Sequence, residues 1–217
     1  MNQPRNVDTD SEQPLDLQRA LALVSDAETK ARKQLHGNDA LIYLVWGVVW
    51  LLGFGALHGS RFDWLPLEYV VALSFAAAVM AVGVIATILL VAKHSSGVRG
   101  HSTFIGTVYG IAWMLGFAVV AVLSGTIGVA VDDFWVRGML INSIAVLVVG
   151  LMYITGGAMF NDRTQIFMGA WFLIIDFIAI ITGPERFLTV FFVFGSGGFL
   201  VGAAIVTLRQ RRSSSHA

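Results

Sequence analysis

The chain contains no cysteine, which excludes disulfide frameworks, thiolate metal sites and cysteine nucleophiles together. It has no net charge either. Fourteen basic residues balance fourteen acidic ones, so it lacks the overall positive field that a nucleic-acid binder needs, and no nucleic-acid partner is expected. No H-E-x-x-H, G-x-S-x-G or phosphate-cradling G-x-x-x-x-G-K-[ST] pattern occurs, so the chain cannot supply its own ATP hydrolysis. It reads as a non-enzyme with no cofactor. Asp132-Asp133 offers half of a cation site with no second ligand cluster beside it, and no metal is expected. The first apolar run begins near Leu41, behind a polar segment too long for a secretory leader, so no cleaved signal peptide is expected.

What the chain does have is apolar length. Hydrophobic residues make up 56% of the 217 and mean hydropathy is +0.75, which leaves too few polar groups to cover a water-soluble globule. Six apolar runs fall at about 41–58, 67–92, 104–130, 137–160, 165–182 and 187–208. A helix needs about 17 to 25 such residues to cross a hydrocarbon layer. The runs lack the ten-residue alternation of a membrane barrel, so the expectation is an all-α, polytopic bundle of six transmembrane helices. Residues 1–38 read as a cytoplasmic arm, 39–208 as the transmembrane domain and 209–217 as a basic, disordered tail.

Lys and Arg divide unevenly between the two sides. Arg5, Arg19, Lys30, Arg32, Lys33, Lys93, Arg99, Arg163, Arg209, Arg211 and Arg212 share one side, against Arg61, Arg137 and Arg186 on the other. The positive-inside rule then places both termini in the cytoplasm. Trp64 and Trp135 fall at the expected outer interface, whereas Trp46, Trp50, Trp113 and Trp171 sit deeper as packing residues.

Sliding the chain by 63 residues aligns Trp46-Gly47-Val48-Val49-Trp50-Leu51-Leu52-Gly53-Phe54 with Tyr109-Gly110-Ile111-Ala112-Trp113-Met114-Leu115-Gly116-Phe117. Gly169-Ala170-Trp171 is a fainter third copy, and Asn161-Asp162 echoes Asn38-Asp39. Three tandem helical hairpins follow, either lining a pathway along a pseudo-axis or duplicated for packing alone. Gly106-xxx-Gly110 and Gly198-xxx-Gly202 are read as close-packing positions.

Asp176 is the acidic residue well inside a span, where insertion of a charged carboxylate costs about 2.5 to 3.5 kcal/mol. It needs a partner or a proton. Counting along antiparallel spans places Asn142 at the same depth, about 8 to 9 Å inside the outer boundary. Ser143, Ser74 and Ser196 are candidates for the same layer. These five residues form the candidate site for a proton, cation or amine; the alternative is a structural hydrogen bond holding two helices in register.

The outer loops carry Arg61-Phe62-Asp63-Trp64, Asp132-Asp133-Phe134-Trp135-Val136-Arg137 and Glu185-Arg186-Phe187, read as ion pairs and interfacial anchors. His94 and His101 flank a glycine-rich cytoplasmic turn and read as solvated. In the N-terminal arm, Leu17, Leu21, Val24, Ala31 and Leu35 lie on one stripe, an amphipathic helix expected to lie on the membrane or to dock a cytoplasmic partner.

The segment Leu41-Ile42-Tyr43-Leu44-Val45-Trp46-Gly47-Val48-Val49-Trp50-Leu51-Leu52-Gly53-Phe54-Gly55 resembles small bacterial six-helix membrane proteins loosely labelled transporters. The resemblance implies a cytoplasmic-membrane location and transport, with no substrate attached. The functional expectation is a transporter or permease component, with the bilayer, a second copy and a separate ATPase or other membrane protein as partners. The alternative is a non-transporting accessory or regulatory protein. Accessibility tags on the two ends should report the same, cation-rich face in intact cells; opposite faces would overturn the six-span count.

Overall fold

In a computed structural model the chain divides into two compact units, residues 1–37 and 38–217. The structure describes residues 39–95 and 101–214, together with Arg19, Leu21 and Ala22, which are helical. Most of the amphipathic stripe of the arm and the turn at 96–100 lie outside the described residues. Within the second unit the helices are α1 (Asp39–Arg61), α2 (Tyr69–Ser95), α3 (His101–Ala130), α4 (Phe134–Met159) and α5 (Arg163–Thr182). The sixth, α6, opens as Phe187–Val190, passes through a π-helical segment Phe191–Gly195, and continues as Ser196–Ser214. All six are long and apolar enough to cross a membrane, and their ends fall within a few residues of the expected spans.

Local chemistry sets the helix ends. Asp133 caps α4, accepting from the backbone N–H of Trp135 at 2.9 Å and of Val136 at 2.8 Å. Asp162 caps α5 through the Thr164 N–H at 2.8 Å. Between them Asn161 adopts a left-handed conformation, φ 54°, and the Asp162 N–H closes back to the Gly157 carbonyl at 2.8 Å, the hydrogen bond that finishes a helix at a left-handed residue. Turn chemistry thus accounts for Asn161-Asp162 without a repeat.

At its far end α6 departs from the expected disordered tail. The helix runs on through Arg209, Gln210, Arg211 and Arg212 to Ser214. Arg and Gln are strong helix formers, and cations at a helix C-terminus are favoured by its dipole, so nothing there ends the helix.

The helices do not contribute equally. Half of α1's apolar stretch is buried in the bundle, against 6% of α3's. The most extensive packing joins α1 with α6, then α4 with α5 and α1 with α2; α3 packs on α4. The pairing expected of hairpins is present for α1–α2 and α3–α4, while α5 leans mainly on α4 and α6 mainly on α1. The aligned repeat segments consequently meet different surroundings. Trp50 is buried in the core, and its counterpart Trp113 is only half-buried.

At the core, Trp50 of α1 meets Phe54, Phe172 and Phe199 at ring separations of 5.2 Å each and Phe191 at 5.9 Å. Phe172 and Phe199 lie 4.5 Å apart, and Tyr153 of α4 packs edge-on to Phe172 at 5.8 Å. This cluster ties α1, α4, α5 and α6 together, and each such ring pair contributes about 0.5 to 1.5 kcal/mol beyond simple burial.

Glycines set the closest approach. A Cβ on Gly169 would lie 2.6 Å from the backbone oxygen of Gly150, and one on Gly150 would lie 2.5 Å from Leu173 Cδ2. Gly198 and Gly202 admit Trp171 and Met168, whereas Gly106 and Gly110 of α3 face open space. The small-residue reading therefore describes packing in α6 but not in α3. Gly169→Ala should overpack α4–α5 and lower thermal stability in detergent by about 1 to 3 kcal/mol. Gly110→Ala should leave stability unchanged or raise it by up to about 1 kcal/mol, because alanine is the better helix former. Equal losses in the two variants would contradict this arrangement.

Candidate functional site

The α4–α5 register brings two of the five candidate residues together, Ser143 and Asp176. Gly150 and Gly169 abut; seven residues before the first and seven after the second, two helical turns along each antiparallel partner, stand Ser143 and Asp176. Both are buried, 6% and 5% exposed. The Ser143 hydroxyl lies beside the Asp176 carboxyl, but the two do not meet hydrogen-bond geometry. Asp176 shares its helix face with Phe172, Ile175 and Ala179, all buried, so its surroundings on α5 are apolar.

Among the described residues, three buried side-chain polar atoms have no hydrogen-bond partner: Asn142 Nδ2, Ser143 Oγ and Asp176 Oδ1. Ser143 and Asp176 face each other across α4 and α5, and Asn142 is the residue before Ser143 on α4. An unsatisfied buried polar group costs about 1 to 3 kcal/mol, and water is not at hand in hydrocarbon to relieve it. Among the described residues, no arginine forms an ion pair with the carboxylate. Arg61 donates to the Pro184 carbonyl at 2.5 Å, pairs with Glu185 at 3.5 Å and lies 3.7 Å above the Trp135 ring, and Arg137 donates to the Gly128 carbonyl at 3.0 Å. The carboxylate and hydroxyl oxygens are the acceptors that a proton, a monovalent cation or a protonated amine would use, while the amide Nδ2 is a donor and can only serve an acceptor.

The two remaining candidates stand apart. Ser74 is exposed on α2 and its hydroxyl donates to the Val70 carbonyl of its own helix at 2.9 Å. Ser196, buried where the π-helical segment ends, donates to the Phe192 carbonyl. Among the described residues, a groove along α5 and α6 and another at the rim by Phe62, Glu185, Arg186 and Thr189 are lined by none of Asp176, Asn142 and Ser143. The buried polar group is enclosed.

A second polar constellation escaped the sequence reading. The Trp64 indole N–H donates to His58 Nδ1 at 2.9 Å. Because an indole nitrogen is a donor only, Nδ1 is unprotonated and the neutral ring carries its proton on Nε2, from which it donates to Thr189 Oγ1 at 3.1 Å. The ring packs against Phe62 at 4.4 Å and Phe192 at 5.3 Å. His58 thus joins the C-terminal end of α1 to the start of α6. Nearby, the Trp171 indole donates to the Phe194 carbonyl at 3.0 Å, serving the π-helical segment from α5. Among the described residues, no three His, Asp or Glu side chains cluster as a metal site.

No family model, curated protein or solved structure matches this chain.

Because the Ser143 hydroxyl is buried and unpartnered, Ser143→Ala should leave thermal stability unchanged or raise it, by up to about 1 to 3 kcal/mol if the whole desolvation penalty is relieved. A drop of similar size would mean that the hydroxyl is bonded and holds α4 to α5.

Proposed function

We propose that the chain is a transporter or permease component of the cell membrane that moves a small ion or solute past Asp176, with both termini on the cytoplasmic side. The observation that carries this reading is a buried carboxylate whose Oδ1 has no hydrogen-bond partner, beside a serine hydroxyl in the same condition. A structural hydrogen bond would consume those atoms. An ionisable group inside the membrane with a buried oxygen left unbonded marks a solute or proton site by default, and its burial suits a carrier between its two openings. The resemblance of the α1 segment to small proteins labelled transporters points the same way. Energy would come from an ion gradient or from a separate ATPase.

A second reading, an accessory membrane protein that binds a partner complex, is favoured by α3. That helix packs on α4 and leaves most of its surface exposed, and its Gly106, Gly110, Gly125 and Gly128 meet nothing within 4 Å.

Proteoliposomes carrying an imposed proton or sodium gradient test the first reading. Wild-type protein should dissipate or couple one of them, and Asp176→Asn, which keeps shape while deleting ionisation, should lose at least about 10-fold of that flux, the scale of one charge-dependent contact worth about 1.4 kcal/mol. The thermal stability of the variant should stay that of the wild type. Full flux in Asp176→Asn would remove the carboxylate from the mechanism; no flux in wild-type protein that co-purifies with a defined membrane complex would favour the accessory reading.

A further inference from the structure

The link that His58 makes between α1 and α6 is complete in one protonation state only. Nδ1 accepts from the Trp64 indole at 2.9 Å, and an indole nitrogen has no acceptor capacity to offer in return. A proton added to the ring turns both nitrogens into donors. The bond to Thr189 survives that change, because Nε2 donates to Oγ1 in either state, whereas Nδ1 and the indole N–H then meet as two donors. One contact is kept and one is lost.

The added charge would arrive beside another cation. Among the described residues no carboxylate pairs with the ring, and the charge that bears on it is Arg61, three residues further along α1. Glu185, in the loop before α6, is drawn to Arg61 at 3.5 Å. Its neighbour Arg186, and Asp63 and Glu68 in the connection after α1, make no bond to the imidazole. The ring is half-buried between Phe62 and Phe192, and imidazole is the side chain whose ordinary charge change falls between about pH 5 and 8.

What the bond controls is the indole rather than the turn that carries it. The N–H groups of Trp64 and Leu65 both donate to the Gly59 carbonyl at 3.1 Å, and the Leu65 side chain fills the space against Gly59. That anchors the backbone independently. The Trp64 side chain is 51% exposed, and beyond His58 it leans on Phe192 of the π-helical segment at a ring separation of 6.3 Å.

We propose that His58 is a pH-operated switch. Neutral, it ties the Trp64 indole to the start of α6 through Thr189; protonated, it keeps Thr189 and lets the indole swing away from Phe192. Phe62 and Thr189, which flank the same imidazole, line the groove at this rim, so the indole swings beside its mouth. Acid at this end of the bundle thereby uncouples the α1–α2 connection from the π-helical segment, a histidine-driven change of contact between two packed elements. Asp176 takes no part in it.

NMR of the full chain, isotope-labelled at tryptophan and histidine nitrogens in a mild detergent that leaves both ends of the bundle open to buffer, tests the switch. Trp64→Phe identifies the Trp64 signal by removing it. Between about pH 8 and 5 that signal should move from a hydrogen-bonded to a solvent-bonded position along a one-proton curve, in step with the His58 Nδ1 signal. The cross-relaxation between Trp64 and Phe192 should disappear over the same range, while the indole signals of the buried Trp50 and half-buried Trp46 stay in place. His58→Gln offers the indole an amide oxygen and Thr189 an amide N–H without titrating, so its Trp64 signal should hold the neutral-state position throughout. Replacing His94 and His101 by Gln should leave the wild-type curve unchanged. A wild-type Trp64 signal indifferent to pH, a curve that persists in His58→Gln, or indole signals that all move together would each overturn the proposal. So would an indole that loses the bond yet keeps its contact with Phe192, held by the imidazolium through cation–π attraction.

Discussion

Hydrogen bonds inside hydrocarbon cannot be deferred to solvent, and that constraint organises this protein. It makes every span a helix. It sends the hydroxyls of Ser74, Thr87, Ser124 and Thr155 back to carbonyls of their own helices, and it supplies the Phe194 carbonyl of the π-helical segment with the Trp171 indole. Tyr109 likewise donates to the Met152 carbonyl and accepts from Gln165, joining α3, α4 and α5. Against so complete an accounting, the unspent atoms of Asn142, Ser143 and Asp176 stand out.

Burial from water is not what holds such helices together, because lipid is as apolar as leucine; contact and shape do it instead. Two devices share the task here. Where glycines meet, as at Gly150 and Gly169, the backbones of α4 and α5 come together and fix the register that sets Ser143 opposite Asp176. Where backbones stand farther apart, the rings around Trp50 fill the space between α1, α5 and α6. The polar site thus lies two helical turns from the point where its two helices are most tightly constrained.

Much of this architecture is legible in the residues, and the part that is not has a physical cause. Span number and limits follow from apolar length, which composition records directly. Asp176 and Asn142 declare themselves as polar groups at one depth, and Ser143 comes with them. Which way a side chain faces is another matter. These helices are apolar all round, so periodicity gives no facing direction, and Ser74, equally polar in the sequence, turns outward to its own backbone. The same silence covers the glycines: Gly198 receives Trp171 while Gly110 receives nothing. The bond between His58 and Thr189 spans 131 residues and follows from no local pattern. The disordered tail failed for a simpler reason, since polarity marks the end of the membrane but not the end of a helix.

The aromatic core draws Trp50 from the first span and Phe191 and Phe199 from the sixth. A ribosome delivers spans in order, so α1 enters the bilayer long before its principal neighbour exists. During synthesis the indole of Trp50 rests among acyl chains, and the middle helices pair meanwhile as an α4–α5 unit. Completion of the bundle is therefore a late event that waits on the arrival of α6. A chain stalled one span short would be inserted yet lack a finished interior, because Phe191 and Phe199 would be missing from around Trp50.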